Sequence, residues 1–434
     1  MNRVHMCTAL YSIFDLACCA TRALMHNHWL SIGVSSCGLQ LRRTLMARLQ
    51  WRTFNSNGRH RVVVTKPLVG ENWLETLLAA DCRVDQCLSE RILSRAELRD
   101  AIGSRCDGVV GQLTEPWDEE LFRALKSAGG KVYSNVAVGF DNVDVSAATR
   151  HGIAVGNTPG VLTETTAEMA VALTFAAGRR LVEADAFMRA GKYKGWLPTM
   201  FLGKLFYGKT LGIIGAGRIG SVYALTMARG CHMDVVYYDQ FQNEQLERKV
   251  RETGSLYQQL GERCISIRRA ETVEELLEAA DVVSLHTVLD ASTRHMINNE
   301  RLRLMKKDAV LVNCGRGPLI DERALVQHCR EHPDFRVGLD VFENEPKMAP
   351  GLASLPNVVV VPHIASATVW TRTGMSTLAA ANVAGIIRGD PVWNQPDVLA
   401  FVDAPSVAAM PRAAPSIVNA KELGLPQYKQ MSRL

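Results

Sequence analysis

Short apolar runs alternate with longer amphipathic stretches from residue 61 onward. Apolar runs bounded by turn residues are typical of buried strands, whereas apolar positions spaced three or four apart are typical of helices. Strands that alternate with helices form parallel sheets covered by helices, so the pattern predicts an α/β fold. The predicted strands cover residues 61–65, 83–87, 106–111, 132–135, 153–155, 209–214, 235–238, 282–285, 309–312, 335–338 and 358–361.

The sequence signals for the helices between these strands differ from one helix to the next. Ser94, with Glu97 three residues later, forms a capping box and predicts a helix start. The charged residues 241–268 are interpreted as an insertion that forms an exposed helix with an excursion. The Pro- and Ala-rich segment after residue 390 is interpreted as an extended surface tail. Further helices are predicted over residues 73–80, 119–128, 221–229, 272–277 and 369–388, with one long helical stretch over residues 164–189.

A glycine-rich turn follows the strand predicted over residues 209–214. It has the pattern G-x-G-x-x-G, in which Gly215 permits a tight turn, Gly217 lets the backbone approach a pyrophosphate and Gly220 lets helix and strand pack closely. The next helix presents free N–H groups to the phosphates. Asp239, 19 residues after Gly220, is placed to bond the adenosine ribose and to repel a 2′-phosphate. The motif therefore predicts a dinucleotide site that prefers NADH over NADPH.

Three polar side chains of different chemistry follow later apolar runs. Arg316 can grip a carboxylate and a carbonyl oxygen together, because its guanidinium is a rigid fork of donors. His363 can donate a proton to the carbonyl oxygen, and Glu345 can hold the imidazole in its charged form. With a hydride donor nearby, they predict reduction of a 2-oxo acid. Each residue alone has a plainer interpretation, as an ion-pair partner, a solvated loop residue or a structural histidine.

Composition limits the other classes of function. The chain has 434 residues, 47% of them apolar, which is enough for two globular domains. A net charge of +5 without a basic stripe gives no support to nucleic-acid binding. No apolar run reaches the roughly 18 residues that suggest a membrane span. The 11 cysteines include no C-x-x-C pair, so we predict no metal site and interpret them as reduced, mostly buried thiols.

The first 45 residues differ from the rest of the chain. They contain one acid, four cysteines and three histidines, and Met46 stands just before the first predicted domain. An acid-poor segment that carries arginines is typical of an organelle transit sequence. The alternative interpretation is upstream sequence included by an over-extended gene prediction. Both interpretations predict a disordered extension.

The motifs together resemble the D-isomer-specific 2-hydroxyacid dehydrogenases, over about residues 46–434. The resemblance is carried by the glycine turn, by the segments around the three polar side chains, and by residues 135–144, 156–168 and 415–426, the last similar to plant-type hydroxypyruvate reductases. It implies two Rossmann-like or flavodoxin-like domains with parallel sheets and an active site in the cleft between them. The expected limits are residues 46–160 with 363–400 for a discontinuous substrate domain, 161–362 for an NAD-binding Rossmann domain, and 401–434 for an extended tail.

The resemblance also implies roles for single residues. Catalysis falls on Arg316, Glu345 and His363, at intervals of 29 and 18 residues. Glu345 is selected over Glu343 because the family's glutamate directly precedes proline. The substrate-binding residues implied beside Arg316 are Ala137, Val138 and Gly139. The implied NAD contacts are Gly215, Gly217, Arg218, Ile219, Gly220, Asp239, Thr287, Cys314, Gly315, Asp340 and Ser366.

The activity implied is NADH-dependent reduction of hydroxypyruvate to D-glycerate, as in photorespiration, with glyoxylate as a further substrate. The alternatives are another 2-hydroxyacid dehydrogenase, such as a glyoxylate reductase, and a non-enzymatic NAD-sensing corepressor on the same fold. The family further implies a homodimer, in which Trp196 is interpreted as a packing residue or, alternatively, as lining the active site of the opposite subunit. The terminal Ser432, Arg433 and Leu434 resemble the Ser-Lys-Leu address and predict binding to the peroxisomal import receptor. Cytoplasm, or an organelle reached through residues 1–45, is the less favoured location.

Overall fold

The computed structural model describes residues 49–395 and 397–428. The predicted N-terminal extension, residues 1–45, and the predicted peroxisomal address at Ser432, Arg433 and Leu434 lie outside the described residues. In the described part of the chain, strands form one six-stranded and one seven-stranded sheet. Helices connect successive parallel strands in both sheets. The predicted α/β fold class is therefore confirmed.

Six of the described strands form the first sheet. They are β1 (Trp51–Phe54), β2 (His60–Val64), β3 (Cys82–Cys87), β4 (Gly108–Gly111), β5 (Val132–Asn135) and β6 (Ala154–Gly156). Their order is β1-β3-β2-β4-β5-β6, and all neighbours are parallel except β1, which runs antiparallel to β3. From β3 to β6 this is the flavodoxin-like order. Its helices are α1 (Asn72–Ala79), α2 (Arg95–Ile102), α3 (Glu119–Ser127) and α4 (Val145–Arg150).

The second sheet has seven described strands, all parallel. They are β7 (Thr210–Ile214), β8 (Asp234–Tyr238), β9 (Ile267–Arg269), β10 (Val282–Leu285), β11 (Val310–Asn313), β12 (Arg336–Leu339) and β13 (Val358–Val360). Their order, β13-β12-β11-β10-β7-β8-β9, is that of a Rossmann sheet. Its helices are α5 (Thr163–Gly178), α6 (Leu181–Arg189), α7 (Arg218–Cys231), α8 (Glu244–Gln259), α9 (Val273–Ala279), α10 (Asn299–Leu304) and α11 (Glu322–Glu331).

Burial on both faces explains why the strands are continuous apolar runs. β4, β10 and β11 are buried along their whole length, as is typical of parallel sheets covered by helices. The predicted start of α2 is confirmed by its cap, since the Ser94 N–H donates to Glu97 at 2.9 Å and the Ser94 hydroxyl accepts from the Glu97 N–H at 3.4 Å. Such reciprocal caps satisfy N–H groups that a helix start leaves free.

The helix after the second sheet returns to the first one. α12 (Val369–Arg388) packs against α1 and against β4, β5 and β6. Fourteen of its 20 residues are buried, which is typical of a helix in the centre of a core. By contrast α5 packs against α7, β11 and β12 of the second sheet. The chain therefore enters the second sheet at α5 and leaves it before α12.

Two predictions about helices in the second sheet are wrong. The single helical stretch over residues 164–189 is divided into α5 and α6, because Arg180 takes a left-handed conformation with φ of 57°. Residues 241–268 are not an insertion, since α8 and β9 form the regular crossover after β8. Leu246 and Val250 of α8 are buried in the core. The helix predicted in this segment is present as α8, and most of its charged residues, such as Arg248 and Glu252, are exposed, whereas Glu247 is buried.

The prediction of a surface tail is also wrong. After α13 (Leu399–Val402) the chain stays largely without regular structure, but Ala414 and Ile417 are buried in the core of the first sheet. Ile417 forms an antiparallel bridge with Gly156 of β6, and the Ser416 N–H donates to Asn382 of α12 at 2.8 Å. The tail thus completes the core of the first sheet.

The described ranges lack two kinds of feature. No helix there is long and apolar enough to span a membrane. No group of three or more His, Cys, Asp or Glu side chains there is placed to hold a metal ion. Of the seven cysteines described, all are unpaired and five are buried.

Candidate active site

Loops that follow strands of both sheets surround one cavity of about 830 Å³. Lys66 follows β2, Gln112 follows β4, Arg316 follows β11, Glu345 follows β12 and His363 follows β13. The carboxyl ends of parallel strands are where ligands bind in open α/β sheets. The three predicted catalytic side chains, separated by up to 47 residues in the sequence, thus share one cavity.

His363 and Glu345 form an ion pair in this cavity. The imidazole Nδ1 lies 3.0 Å from Glu345 Oε2, and Glu345 Oε1 accepts from the Phe342 N–H at 3.0 Å. Burial raises the pKa of Glu345, but the hydrogen bond and charge of His363 outweigh it and leave that pKa below its usual value. The carboxylate therefore stays ionised beside the ring, which leaves Nε2 of the imidazole for a ligand.

Glu343, the rival to Glu345, has a different set of partners. Its carboxylate accepts from His295 at 2.7 Å and from the Glu322 N–H at 3.4 Å. The structure places Glu345, and not Glu343, against His363. Glu343 also borders the cavity, but its hydrogen bonds hold it to the outer wall.

The turn that carries His363 is held by Asp340. His363 has a positive φ of 54°, and the next two residues, Ile364 and Ala365, donate their N–H groups to Asp340 at 2.6 and 2.9 Å. Burial raises the pKa of Asp340, and these two N–H groups oppose that shift. Asp340, predicted as an NAD contact, here anchors the histidine turn. Ser366 lies at the end of the same turn.

Arg316 reaches across the cavity to the loop after β5. Its Nε donates to Asp141 at 2.8 Å, and its Nη1 donates to the Gly315 carbonyl at 2.9 Å. A Cβ atom at residue 139 would overlap Nη2 of Arg316, so a residue larger than Gly139 would displace the guanidinium from this position. Asp141 thus orients the guanidinium, an arrangement that the sequence did not reveal.

Only one of the predicted substrate-binding residues lines the cavity. Arg316 lines the cavity, whereas Ala137, Val138 and Gly139 do not, although Gly139 touches Arg316. Ala137 is buried behind the loop, where its carbonyl accepts from the Thr158 N–H at 2.9 Å. In this structure the loop therefore meets the cavity through Asp141 and Asn142 and not through those three residues.

Arg372 is a cavity residue that the sequence did not indicate. It lies in the first turn of α12, and within the described ranges its side chain has no hydrogen bond or ion pair. Burial lowers its pKa, and the charge of Asp340 opposes that shift. A second guanidinium therefore lines the cavity with Arg316, and both can attract an anionic ligand, although the carboxylates of Glu90, Asp141, Glu343 and Glu345 line it as well. Its position inside a predicted helix gave no signal of this role.

The glycine turn has the shape that a dinucleotide requires. No atom lies within 4 Å of a Cβ built at Gly217, so the space above the turn is open, whereas a Cβ at Gly220 would overlap the Gly215 carbonyl. α7 begins at this turn without a side-chain cap, which leaves its first N–H groups for phosphate. Asp239 accepts from the Ala216 N–H at 2.8 Å and lies beside the turn. The residues present thus fit NAD.

The other predicted NAD contacts lie along the same sheet edge. Thr287 follows β10, and Cys314 and Gly315 follow β11. Arg218 and Ile219 begin α7. All of these positions therefore face the carboxyl end of the second sheet, which also carries Arg316, Glu345 and His363.

Comparison with known proteins assigns the family. The profile described as D-isomer specific 2-hydroxyacid dehydrogenase, NAD binding domain, matches residues 171–365. Glycerate dehydrogenase of Cucumis sativus is 56% identical over 378 residues, which are 87% of this chain and 98% of that protein. The chain belongs to the D-isomer specific 2-hydroxyacid dehydrogenases. It is accordingly an NAD-dependent oxidoreductase.

One further relative and one solved structure also support the family assignment of this dehydrogenase. Glycerate dehydrogenase HPR, peroxisomal, of Arabidopsis thaliana is 56% identical over 378 residues, 87% of this chain and 97% of that protein. The crystal structure of a glyoxylate reductase from Paecilomyes thermophila superposes with a TM-score of 0.63 at 31% identity, covering 76% of this chain and 95% of that chain. The dehydrogenase fold thus extends over both sheets.

Proposed function

We propose that this dehydrogenase reduces hydroxypyruvate to D-glycerate with NADH, and glyoxylate to glycolate as a second reaction. The observation that carries the proposal is the His363–Glu345 pair, which shares one cavity with the Arg316 guanidinium. The two plant relatives are named for glycerate oxidation, the reverse of the first reaction, and the fungal structure is named for glyoxylate reduction.

The proposed chemistry divides between three residues. Arg316 binds the carboxylate and carbonyl oxygens of the 2-oxo acid with the guanidinium N–H groups that Asp141 and Gly315 leave free. NADH, when bound, supplies the hydride. His363 donates the proton from Nε2 to the carbonyl oxygen, while Glu345 stabilises the imidazolium through Nδ1. In the reverse direction the neutral imidazole accepts the proton from the hydroxyl group.

Steady-state assays with purified enzyme test this function. NADH oxidation is measured with hydroxypyruvate, glyoxylate and pyruvate as substrates. We expect the highest kcat/KM for hydroxypyruvate, and a preference for glyoxylate would favour the glyoxylate reductase alternative. NADH binding without turnover of any of the three would contradict the enzyme proposal and favour the corepressor-like alternative.

NAD is proposed to bind through Gly215, Gly217 and Gly220 at its pyrophosphate and through Asp239 at its ribose. The Asp239 carboxylate would repel the 2′-phosphate of NADPH. Arg269 lies next to the backbone of this residue, since its Nη2 donates to the main-chain carbonyls of Asp239 at 2.7 Å and of Gln240 at 3.0 Å. The preference for NADH therefore depends on the negative charge of Asp239, because the positive charge of Arg269 nearby would otherwise attract the 2′-phosphate of NADPH.

Asp239→Asn should weaken that preference. The amide keeps an acceptor for the Ala216 N–H but carries no charge, so Arg269 can attract a 2′-phosphate. We expect the ratio of kcat/KM for NADH to that for NADPH to fall roughly 10- to 100-fold, as for the loss of one charged contact. Asp234→Asn, at the other end of β8 and paired with Arg263, is the matched control. An unchanged ratio in Asp239→Asn would contradict the role of this carboxylate.

The proposed domain limits and homodimer are supported by packing and by an exposed apolar surface. We propose a substrate domain of residues 46–160 and 363–400, whose core the tail after residue 400 completes, and an NAD-binding domain of residues 161–362, in line with the packing of α12 and α5. Exposed large apolar side chains cluster in sequence after α6, at Trp196, Leu197, Leu202 and Leu205. Such surfaces mark protein–protein contacts, so we propose that these side chains pack against the second subunit of the dimer.

The double variant Trp196→Asp with Leu202→Asp should yield monomers in light scattering.

Peroxisomal import is proposed from the terminal Ser432, Arg433 and Leu434, which would bind the import receptor. The Arabidopsis relative is named as peroxisomal. A fluorescent reporter that carries the last twelve residues should enter peroxisomes, and the same reporter without Leu434 should stay cytosolic. A cytosolic reporter with the complete tail would contradict the proposal.

A further inference from the structure

A buried carboxyl group lies behind the cavity wall, outside the catalytic set. Glu115 is 0% exposed, and its Oε2 accepts from the Thr65 hydroxyl at 2.9 Å and from the Gln112 N–H at 3.1 Å. Thr65 follows β2 and Gln112 follows β4, which are neighbouring parallel strands. One carboxyl oxygen therefore joins two strand ends, and Gln112 itself lines the cavity.

The Asn142 side chain connects this group to the loop that reaches Arg316. Its Nδ2 donates to the carbonyl of Gln112 at 3.2 Å and to that of Glu115 at 2.9 Å. Its neighbour in the chain, Asp141, accepts from Arg316 Nε at 2.8 Å. A continuous set of hydrogen bonds and one peptide link thus runs from the buried carboxyl group to the guanidinium.

We propose that Glu115 is a positioning residue, which fixes the loops of residues 112–115 and 139–142 so that Arg316 meets the substrate carboxylate in one geometry. The inference rests on the proposed function, because it assumes that Arg316 binds a 2-oxo acid. Glu115 is buried and does not line the cavity, so its removal should act on substrate binding through Arg316 and leave NADH binding intact. A purely structural carboxyl group would instead affect stability alone.

The charge of Glu115 makes this role dependent on pH. Burial raises its pKa to about 7, against the lowering effect of the hydrogen bonds from Thr65 and Gln112 and of the Lys66 charge. The titratable groups that face it are Lys66, after β2, and Tyr133 on β5, whose own pKa burial and the Glu115 charge raise. Hydrogen bonds to a carboxylate are about twice as strong as those to a neutral acid. The loops are therefore held more firmly above pH 7 than below it.

Two variants of Glu115 test the proposal, measured in the full-length enzyme with hydroxypyruvate and NADH. Glu115→Ala should raise the KM for hydroxypyruvate roughly 10- to 100-fold, as for the loss of a hydrogen-bonded buried carboxyl group, with NADH affinity unchanged. Glu115→Gln keeps an acceptor for Thr65 and Gln112 without the charge. Its KM should equal the native value at pH 6 and exceed it roughly 3- to 10-fold at pH 8, because only the native side chain ionises.

Asp85 supplies the matched control. It is a buried carboxylate of the same sheet that accepts from Thr53 at 2.8 Å and from Arg61 at 2.6 Å, away from the cavity. Asp85→Ala should lower Tm and leave the KM for hydroxypyruvate unchanged. The proposal is overturned if Asp85→Ala raises KM as much as Glu115→Ala does, or if Glu115→Gln follows the native KM at both pH values. The second outcome decides the matter even if Glu115→Ala fails to fold.

Measurement of turnover by the native enzyme distinguishes a failure of the proposed function from a failure of this inference. If the native enzyme reduces none of the 2-oxo acids, the proposed function fails, and Glu115 is tested by calorimetry with oxamate, a non-reducible analogue of a 2-oxo acid. Weaker oxamate binding to Glu115→Ala than to Asp85→Ala would still support positioning. Equal oxamate affinity in the two variants would overturn it.

Discussion

His363→Ala should lower kcat for hydroxypyruvate roughly 10²- to 10⁴-fold, as expected for the loss of a general acid. The imidazole borders the cavity, and its Nδ1 is bonded to Glu345 at 3.0 Å, so only Nε2 can deliver a proton to the substrate. The glycine turn that would hold NADH begins α7 and does not touch this side chain. NADH affinity, measured by fluorescence titration, should therefore be unchanged while single-turnover reduction slows.

His295→Ala is the control for this variant. Its imidazole is likewise paired with a glutamate, Glu343, at 2.7 Å, but it does not line the cavity. We expect near-native kcat. Native kcat in His363→Ala would exclude its role as proton donor, and a parallel loss of NADH affinity would point to damage of the fold.

The sequence predicted the fold wherever burial on both faces left a continuous apolar run. Residues 132–135 and 282–285 were predicted as strands with the bounds that the structure has. The edge strand β1 was missed, because Trp51 and its neighbours are exposed and carry no such run. The break between α5 and α6 was missed for another reason. Arg180 adopts a left-handed conformation that neither glycine nor asparagine signals in the sequence.

The tail and α8 show where tertiary packing overrides local composition. Pro- and Ala-rich sequence suggested a surface tail, yet Ala414 and Ile417 fill space against α12 and β6 that only the folded sheet creates. The charges of α8 suggested an insertion, although its buried face needs few apolar residues, such as Leu246 and Val250. The composition of a segment therefore predicts the exposed side chains of a helix or loop better than it predicts the buried ones.

The residues of the candidate site likewise fall into those that the sequence predicted and those that it missed. Motif spacing brought Arg316, Glu345 and His363 together, because each follows a strand of the same parallel sheet and strand ends are neighbours in space. The contact between Arg316 and Asp141 joins loops of two different sheets, and no local pattern encodes it. Arg372 and Glu115 were missed for the same reason. Their roles arise from the packing of α12 and of the β4 loop around the cavity.

Arg316→Lys should lower kcat/KM for hydroxypyruvate roughly 10²- to 10³-fold, although the substitution keeps the positive charge. The lysine ammonium carries its three N–H donors on one atom in place of a planar fork, so it cannot bond Asp141 and two substrate oxygens in the in-plane geometry of the guanidinium. A charge-assisted hydrogen bond is worth about 1.5–3 kcal/mol, so the loss of one to two such bonds spans the expected decrease. Steady-state kinetics with saturating NADH measure it, and both KM and kcat should change because the carbonyl is no longer aligned for hydride transfer.

Arg294→Lys and Asp141→Asn sharpen the interpretation of that result. Arg294 is exposed and pairs with Glu343 at 3.4 Å, so its replacement by lysine should leave kcat/KM unchanged. Asp141→Asn should change kcat/KM in the same direction as Arg316→Lys but less, because it loosens the guanidinium without removing it. If Arg316→Lys retained native kcat/KM, a point charge at this position would suffice. The loop contact through Asp141 would then serve the fold of the cavity wall and not the grip on the substrate.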